Sequence, residues 1–172
     1  IDTLQSVIDD LKNTSLSYQV WVVDNASTDE SVNVVREQFP DVRLIASPDN
    51  LGFARANNLA MRQIGFDSSL PEDDLPRAVY LLNPDTITHN GATETLFRAL
   101  MANASVGVVG ARLTYGDGSF QHSAFMFPGL KQIWTEFFPT PGRLIERAFN
   151  GRYEREKYQQ QEPFPVDFTL GA

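Results

Sequence analysis

Along this chain the spacing of apolar residues switches repeatedly between helical and strand-like periods, and each switch marks an element. Residues 2–12 set Leu4, Val7, Ile8 and Leu11 at i, i+3, i+4 and i+7, which predicts an amphipathic helix. Residues 18–23 (YQVWVV) are β-branched and aromatic, apolar on both faces as buried parallel strands are. That run stops at Asp24-Asn25, and Ser27-Thr28-Asp29-Glu30 reads as a capping box opening a helix to about Phe39. Pro40-Asp41 ends the helix, and residues 42–46 form a second short strand. Asn50-Leu51-Gly52 makes a turn into a helix over residues 53–64, and the proline-punctuated residues 67–76 read as a surface loop.

The alternation continues. Residues 78–82 predict a third strand, stopping at Asn83-Pro84-Asp85, followed by a helix over residues 90–102 and a fourth strand over 106–109. Tyr115-Gly116-Asp117-Gly118 is a hairpin signal. Beyond Pro128 the pattern loosens, with short helices over 130–138 and 143–149, a polar patch at 159–162 and a last strand over 166–170. Strand alternating with helix implies an α/β fold: a mostly parallel sheet with helices on both faces and right-handed crossovers, in one domain spanning residues 1–172.

Composition narrows the chemistry. With 42% hydrophobic and 21% charged residues the chain is ordinary for a soluble protein, and no run approaches the roughly 18 apolar residues of a membrane span. The first residues show no signal-peptide pattern, so a cytoplasmic location is expected. Absence of cysteine excludes disulfides and thiolate metal sites. A net charge of −8 argues against a nucleic acid polymer as partner, because such binding rests on phosphate neutralisation. An acidic chain that handles a phosphorylated small molecule needs a local cation, either an Arg or a divalent metal.

Ligands of open parallel sheets bind beyond the carboxyl ends of the strands, where this chain places two acidic signals. Asp24 is suited to accept a hydrogen bond from a uracil or thymine imide or from a ribose hydroxyl; Asp24-Asn25 is equally suited to turn the chain into the next helix. Asp85 is the oxygen ligand that Mg²⁺ or Mn²⁺ prefers, and such an ion clamps a diphosphate leaving group; Asn-Pro-Asp-Thr is also a good Asx turn.

Four motifs then occur together: VVDNASTD (residues 22–29), NLGFARANN (50–58), YLLNPDT (80–86) and VGVVGARL (106–113). In order and spacing they resemble family 2 glycosyltransferases, most nearly the rhamnosyltransferase-like branch, and VDFTLGA (166–172) resembles that family's segment ending in Gly-Ala. The resemblance covers nearly the whole chain. It implies a GT-A (Rossmann-like) fold and metal-dependent, inverting transfer of a sugar from a UDP- or dTDP-linked donor. The acceptor it implies is a hydroxyl on a glycan or lipid-linked molecule, in cell-surface polysaccharide or glycoconjugate synthesis. Asp24 matches the base-contacting aspartate, and Asn25, Arg55, Asn58 and Asn83 border the nucleotide pocket by the same match. Asp85 matches the last acid of an Asp-x-Asp metal motif in which Asn83 replaces the first acid, leaving one carboxylate for Mg²⁺ or Mn²⁺. Gly171 and Ala172 fall near the sugar and acceptor.

The resemblance also sets expectations about both ends. A strand preceding the first helix, central between residues 18–23 and 78–82, and a Glu-Asp segment with the general base after Gly-Ala, have no counterpart in these 172 residues. The domain is therefore expected to be incomplete and inactive alone; no catalytic base is named, and Asp167 has no context that singles it out. The alternative is a non-catalytic nucleotide-sugar-binding module. A nicotinamide-dependent oxidoreductase is disfavoured because no G-x-G-x-x-G follows a strand, and a nucleotidyltransferase because no Gly-rich, basic phosphate loop is present. His122 is placed near the site in relatives but reads as a structural histidine, and His89 as a helix-entry residue. Trp134, Phe137 and Phe138 with Arg143, Arg147, Arg152 and Arg155 read either as core aromatics beside a solvated basic face or as a surface that docks at an anionic membrane (a peripheral contact at its inner face) or at a lipid-linked acceptor.

Overall fold

The computed structural model describes residues 1–137, 151–160 and 162–170, and the chain divides into two compact units, Ile1–His89 and Asn90–Ala172. The first unit opens with α1 (Asp2–Lys12), whose apolar stripe buries Val7 and Leu11 to 6% and 7% exposure. Asp10 falls on the same stripe, three residues after Val7, and is 1% exposed. Next come β1 (Trp21–Asn25), α2 (Ser31–Gln38), β2 (Arg43–Ser47) and α3 (Gly52–Ile64). β1 and β2 pair in parallel over five residues, from Trp21 opposite Arg43 to Asn25 opposite Ser47. α3 packs on β1 and α2 on β2, the layering that a βαβ crossover requires. α3 ends where Gly65 adopts φ 117°, a conformation glycine reaches without Cβ strain, and the Phe66 amide reaches back to the Met61 carbonyl at 3.1 Å.

Four local expectations are corrected. β1 begins two or three residues later than predicted, because only from Val20, whose carbonyl accepts the Arg43 amide at 2.9 Å, does the backbone meet a partner. The capping box does not form: Asp29 Oδ1 accepts the Ser31 amide at 2.9 Å, so α2 starts only at Ser31, with no side-chain cap. Residues 78–82 and 106–109 have strand composition yet join no ladder among the described residues. Strand propensity is a preference for a pleated, half-buried surface, and without a neighbouring backbone it yields extended chain only. Val79, Tyr80 and Leu81 are accordingly 39%, 42% and 43% exposed. The parallel order is thus observed for β1 and β2, and the larger central sheet is not.

The second unit contains α4 (Ala92–Met101), a hairpin of β3 (Leu113–Thr114) and β4 (Phe120–Gln121), then β5 (Ala124–Phe125), α5 (Leu130–Phe137) and β6 (Phe168–Thr169), which pairs antiparallel with β5. The hairpin turn closes where the Gly118 amide meets the Tyr115 carbonyl at 2.8 Å. Residues 159–162, predicted as a polar patch, begin at the last residue of a 3₁₀ turn, Arg155–Gln159. Gly110 is required by packing: a Cβ there would run into the Thr169 side chain. The helix predicted over 143–149 lies outside the described residues.

Candidate functional site

The β1–β2 ladder carries Asp24 and Asn25 to its carboxyl end. The chain then turns through Ala26 at φ 65°, a left-handed conformation that costs a residue with a Cβ roughly 1–2 kcal/mol. Strain of this kind persists only where the surroundings over-determine the backbone. Here they do. Asp24 Oδ2 accepts the Ser27 amide at 3.2 Å, Asn25 Nδ2 donates to Asn50 Oδ1 at 2.9 Å, and Asn25 Oδ1 accepts the Leu51 amide at 2.7 Å. Asn50 Oδ1 also takes the Gly52 amide at 2.9 Å. The strand end is thereby fastened to the first turn of α3, whose leading amides carry partial positive charge suited to a phosphate. Arg55 and Asn58 lie i, i+3 along α3, both exposed.

The second acidic segment is held differently. The chain turns at Pro84-Asp85, where Asn83 O accepts the Thr86 hydroxyl at 2.9 Å, and Pro84 O accepts the Thr3 hydroxyl at 2.6 Å. The Thr88 amide donates to Ser6 Oγ at 3.0 Å, so α1 grips the loop at two points. Tyr80, in the preceding extended stretch, sits near Asp10. Partial burial first pushes its phenol above the usual range, against the pull of the Thr88 hydroxyl, and the Asp10 charge adds to the rise. Asp85 itself is exposed. Among the described residues no three His, Asp or Glu side chains gather as a metal cage. A lone accessible carboxylate fits a hard cation that takes its remaining oxygens from water and a diphosphate, the usual habit of Mg²⁺.

The site therefore brings Asp24 and Asn25 together with the start of α3 and presents Asp85 on a separately anchored loop; no hydrogen bond joins the two acids among the described residues. In the second unit, His122 stacks edge-on against Phe120 and Tyr158 at 4.8 and 5.8 Å, with Nδ1 buried and without a hydrogen-bond partner. Burial first, then Arg152 and Arg155, hold its pKa below the ordinary value, which agrees with a structural, neutral imidazole. His89 is exposed and precedes α4 by three residues. Asp167 Oδ2 accepts the Phe127 amide at 2.7 Å. Gly171, Ala172, Phe138, Arg143 and Arg147 lie outside the described residues.

Three residues escaped the sequence reading. Asn50 stood inside a motif, but its link to Asn25 spans 25 positions and has no local signature. Ala26 carries no compositional hint of a positive φ, which glycine or asparagine would have given. Asp10 did leave a trace, an acid on an otherwise apolar stripe.

Comparison with known proteins identifies the family. The family model described as glycosyl transferase family 2 matches residues 1–164. Two curated relatives, both named N-acetylglucosaminyl-diphospho-decaprenol L-rhamnosyltransferase and from two strains of Mycobacterium tuberculosis, are each 30% identical over 165 residues. The match covers 92% of this chain and 52% of theirs, so the chain spans about half the length of the curated relatives it matches. No solved structure matches it. With its family's match running through the Asp24–Asn25 strand end, the α3 start and the Asp85 loop, the chain belongs to glycosyl transferase family 2.

Proposed function

We propose that the chain is the donor-binding part of a glycosyltransferase that moves a sugar from a UDP- or dTDP-linked donor to a hydroxyl of a lipid-linked glycan acceptor. The observation that carries this reading is the strand end itself: Asp24 and Asn25 lead into a strained turn at Ala26, Asp24 accepts the Ser27 amide, and Asn25 ties the strand end to the start of a family-matched helix through Asn50 and the Leu51 amide. Asp24 receives a donor group of the base or ribose. The positive end of the α3 dipole and Arg55 attract the diphosphate, while Asn58 and Asn83 border the nucleotide. Asp85 would hold Mg²⁺ or Mn²⁺, which when bound neutralises charge on the departing diphosphate. In the reaction the bond from the anomeric carbon to the diphosphate oxygen breaks and one to the acceptor oxygen forms on the opposite face, with the acceptor proton passing to a general base. By the family resemblance alone, Gly171 and Ala172, outside the described residues, would serve the sugar and acceptor. The lipid-linked acceptor class is supported by the relatives' printed name; with it we propose a cytoplasmic enzyme in peripheral contact with the inner membrane face, acting in cell-surface polysaccharide or glycoconjugate synthesis.

Isothermal calorimetry with UDP and dTDP, with Mn²⁺ and with chelator, tests the reading. Diphosphate binding strengthened by metal, with that gain abolished in Asp85→Ala, is the expected result. Equal affinity under chelation would remove the metal from the proposal; no binding in a chain extended to the relatives' length would remove the donor site.

A further inference from the structure

α5 turns an apolar face outward. Leu130, Ile133, Trp134 and Phe137 fall at i, i+3, i+4 and i+7, one stripe of the helix, and are 87%, 40%, 59% and 77% exposed. The same spacing in α1 buries Val7 and Leu11 almost completely. The exposed surface continues along the chain into β5 and β6: Phe127, three residues before α5, stacks on Phe168 at 5.9 Å, and Phe168 on Phe125 at 5.6 Å. Single exposed apolar residues are ordinary, but a run of large ones along one helix face marks an interaction surface.

Charge indicates what covers it. Residues 126–158 carry six Lys and Arg against four Glu, a net of +2, whereas the whole chain is −8 and the remainder therefore −10. A basic stretch of sequence around an aromatic helix, in an otherwise acidic protein, is complementary to an anionic lipid surface, whereas in a two-fold dimer through this face the same basic stretch would meet its own copy. We propose that α5 is an interfacial helix whose Leu130–Ile133–Trp134–Phe137 face lies in the headgroup–acyl boundary of an anionic membrane. The assignment deepens the lipid-linked acceptor reading and rests on it for the choice of surface: a protein so anchored meets a diphosphate-bearing lipid at the plane where its sugar is exposed.

The test is vesicle co-sedimentation of the full chain with phosphatidylcholine alone and with phosphatidylcholine mixed with phosphatidylglycerol. Trp134 emission is followed in a Trp21→Phe background. Binding to the anionic vesicles, weakened by salt and accompanied by a blue shift, is expected. The doubly substituted chain Leu130→Glu, Phe137→Glu should bind about tenfold or more weakly with an unchanged thermal melt. A milder variant, Leu130→Ser, should lie between them and guards against misfolding of the first. Failure to bind either vesicle, or equal binding by the substituted chains, overturns the proposal. So does a wild-type dimer that the substitutions dissociate without any vesicle binding, which would assign the face to a second copy. Nucleotide calorimetry on the same preparations separates the two readings: a chain that binds UDP or dTDP but no vesicle sinks the helix assignment alone.

Discussion

Two stretches of the first unit share one sequence grammar and fold differently. Residues 20–25 and 78–85 are both apolar runs that end in asparagine and aspartate. The first is laddered to β2 through five residues, its terminal amide Asn25 is tied to the start of α3, and Asp24 accepts the Ser27 amide. The second joins no ladder, shows its apolar side chains to solvent, and is gripped by α1 through Thr3 and Ser6. The difference lies in partners rather than in propensity, and it has a functional reading. On the proposed reading Asp24 would be a pre-positioned recognition group, whereas the exposed Asp85 would be completed by a cation and a diphosphate.

The largest expected effect separates those two roles. Asp24→Ala should weaken nucleoside diphosphate binding by about 10–100-fold with or without Mn²⁺, the scale of a lost hydrogen bond to a charged group. Asp85→Ala should leave the metal-free affinity unchanged and remove only the metal-dependent gain. Calorimetry under both conditions checks this, and a metal-dependent loss at Asp24 would collapse the distinction.

Next in size is the lock itself. Asn25→Ala removes a donor to Asn50 and the acceptor of the Leu51 amide, leaving a part-buried amide unsatisfied. Unfolding in urea should show a loss of about 1–3 kcal/mol. If the midpoint is unmoved, the strand end is no more fixed than the 78–85 stretch.

How much of this was legible from residues alone follows the same line. Helices are local objects, and the i, i+3, i+4 spacing placed α1 at its observed bounds and α3 within one residue. Strands are pairwise objects, so the β1–β2 pair was recognisable while 78–82 and 106–109 were read as strands that the fold does not form. In the candidate site, Asp24 and Asn25 could be located because a strand end announces them, and the ladder does end there. Asn50 was recognised only as part of a turn, since its hydrogen bond depends on a parallel register that no window of sequence contains. Asp85 was a candidate by its turn, but the grip of Thr3 on Pro84 and of Ser6 on Thr88, 81 and 82 positions apart, left no trace.

A smaller effect, of opposite sign, is expected at the strained turn. Ala26 sits at φ 65°, so Ala26→Gly should stabilise the folded chain by up to about 1 kcal/mol, relief of Cβ strain outweighing glycine's added freedom in the unfolded state. A higher thermal midpoint with nucleotide affinity unchanged is the expected pair of results. A lower midpoint would mean that the turn is not over-determined by Asp24 and Asn25.

The finest comparison sets two backbone amides against each other. The Leu51 amide donates to the Asn25 side chain at 2.7 Å, and the Thr88 amide donates to the Ser6 hydroxyl at 3.0 Å. Each is a part-buried amide whose acceptor is one side chain far away in sequence, so each reports whether its anchor holds. Ser6 is itself oriented, because its hydroxyl donates to Thr3 O at 2.9 Å, and Thr3 in turn donates to Pro84 O. Ser6→Ala should therefore raise Thr88 amide exchange by about 5–10-fold, equivalent to roughly 1 kcal/mol, with Leu51 unaffected. Asn25→Ala should raise Leu51 exchange by at least as much without touching Thr88, once its global destabilisation is subtracted. The Leu51 bond is the shorter and is reinforced by the neighbouring Asn50 amide contact, so wild-type protection should be higher there than at Thr88. Equal protection at the two amides would show that the unladdered stretch is held as firmly as the laddered one, and Asp85 would then have to be counted as pre-positioned like Asp24.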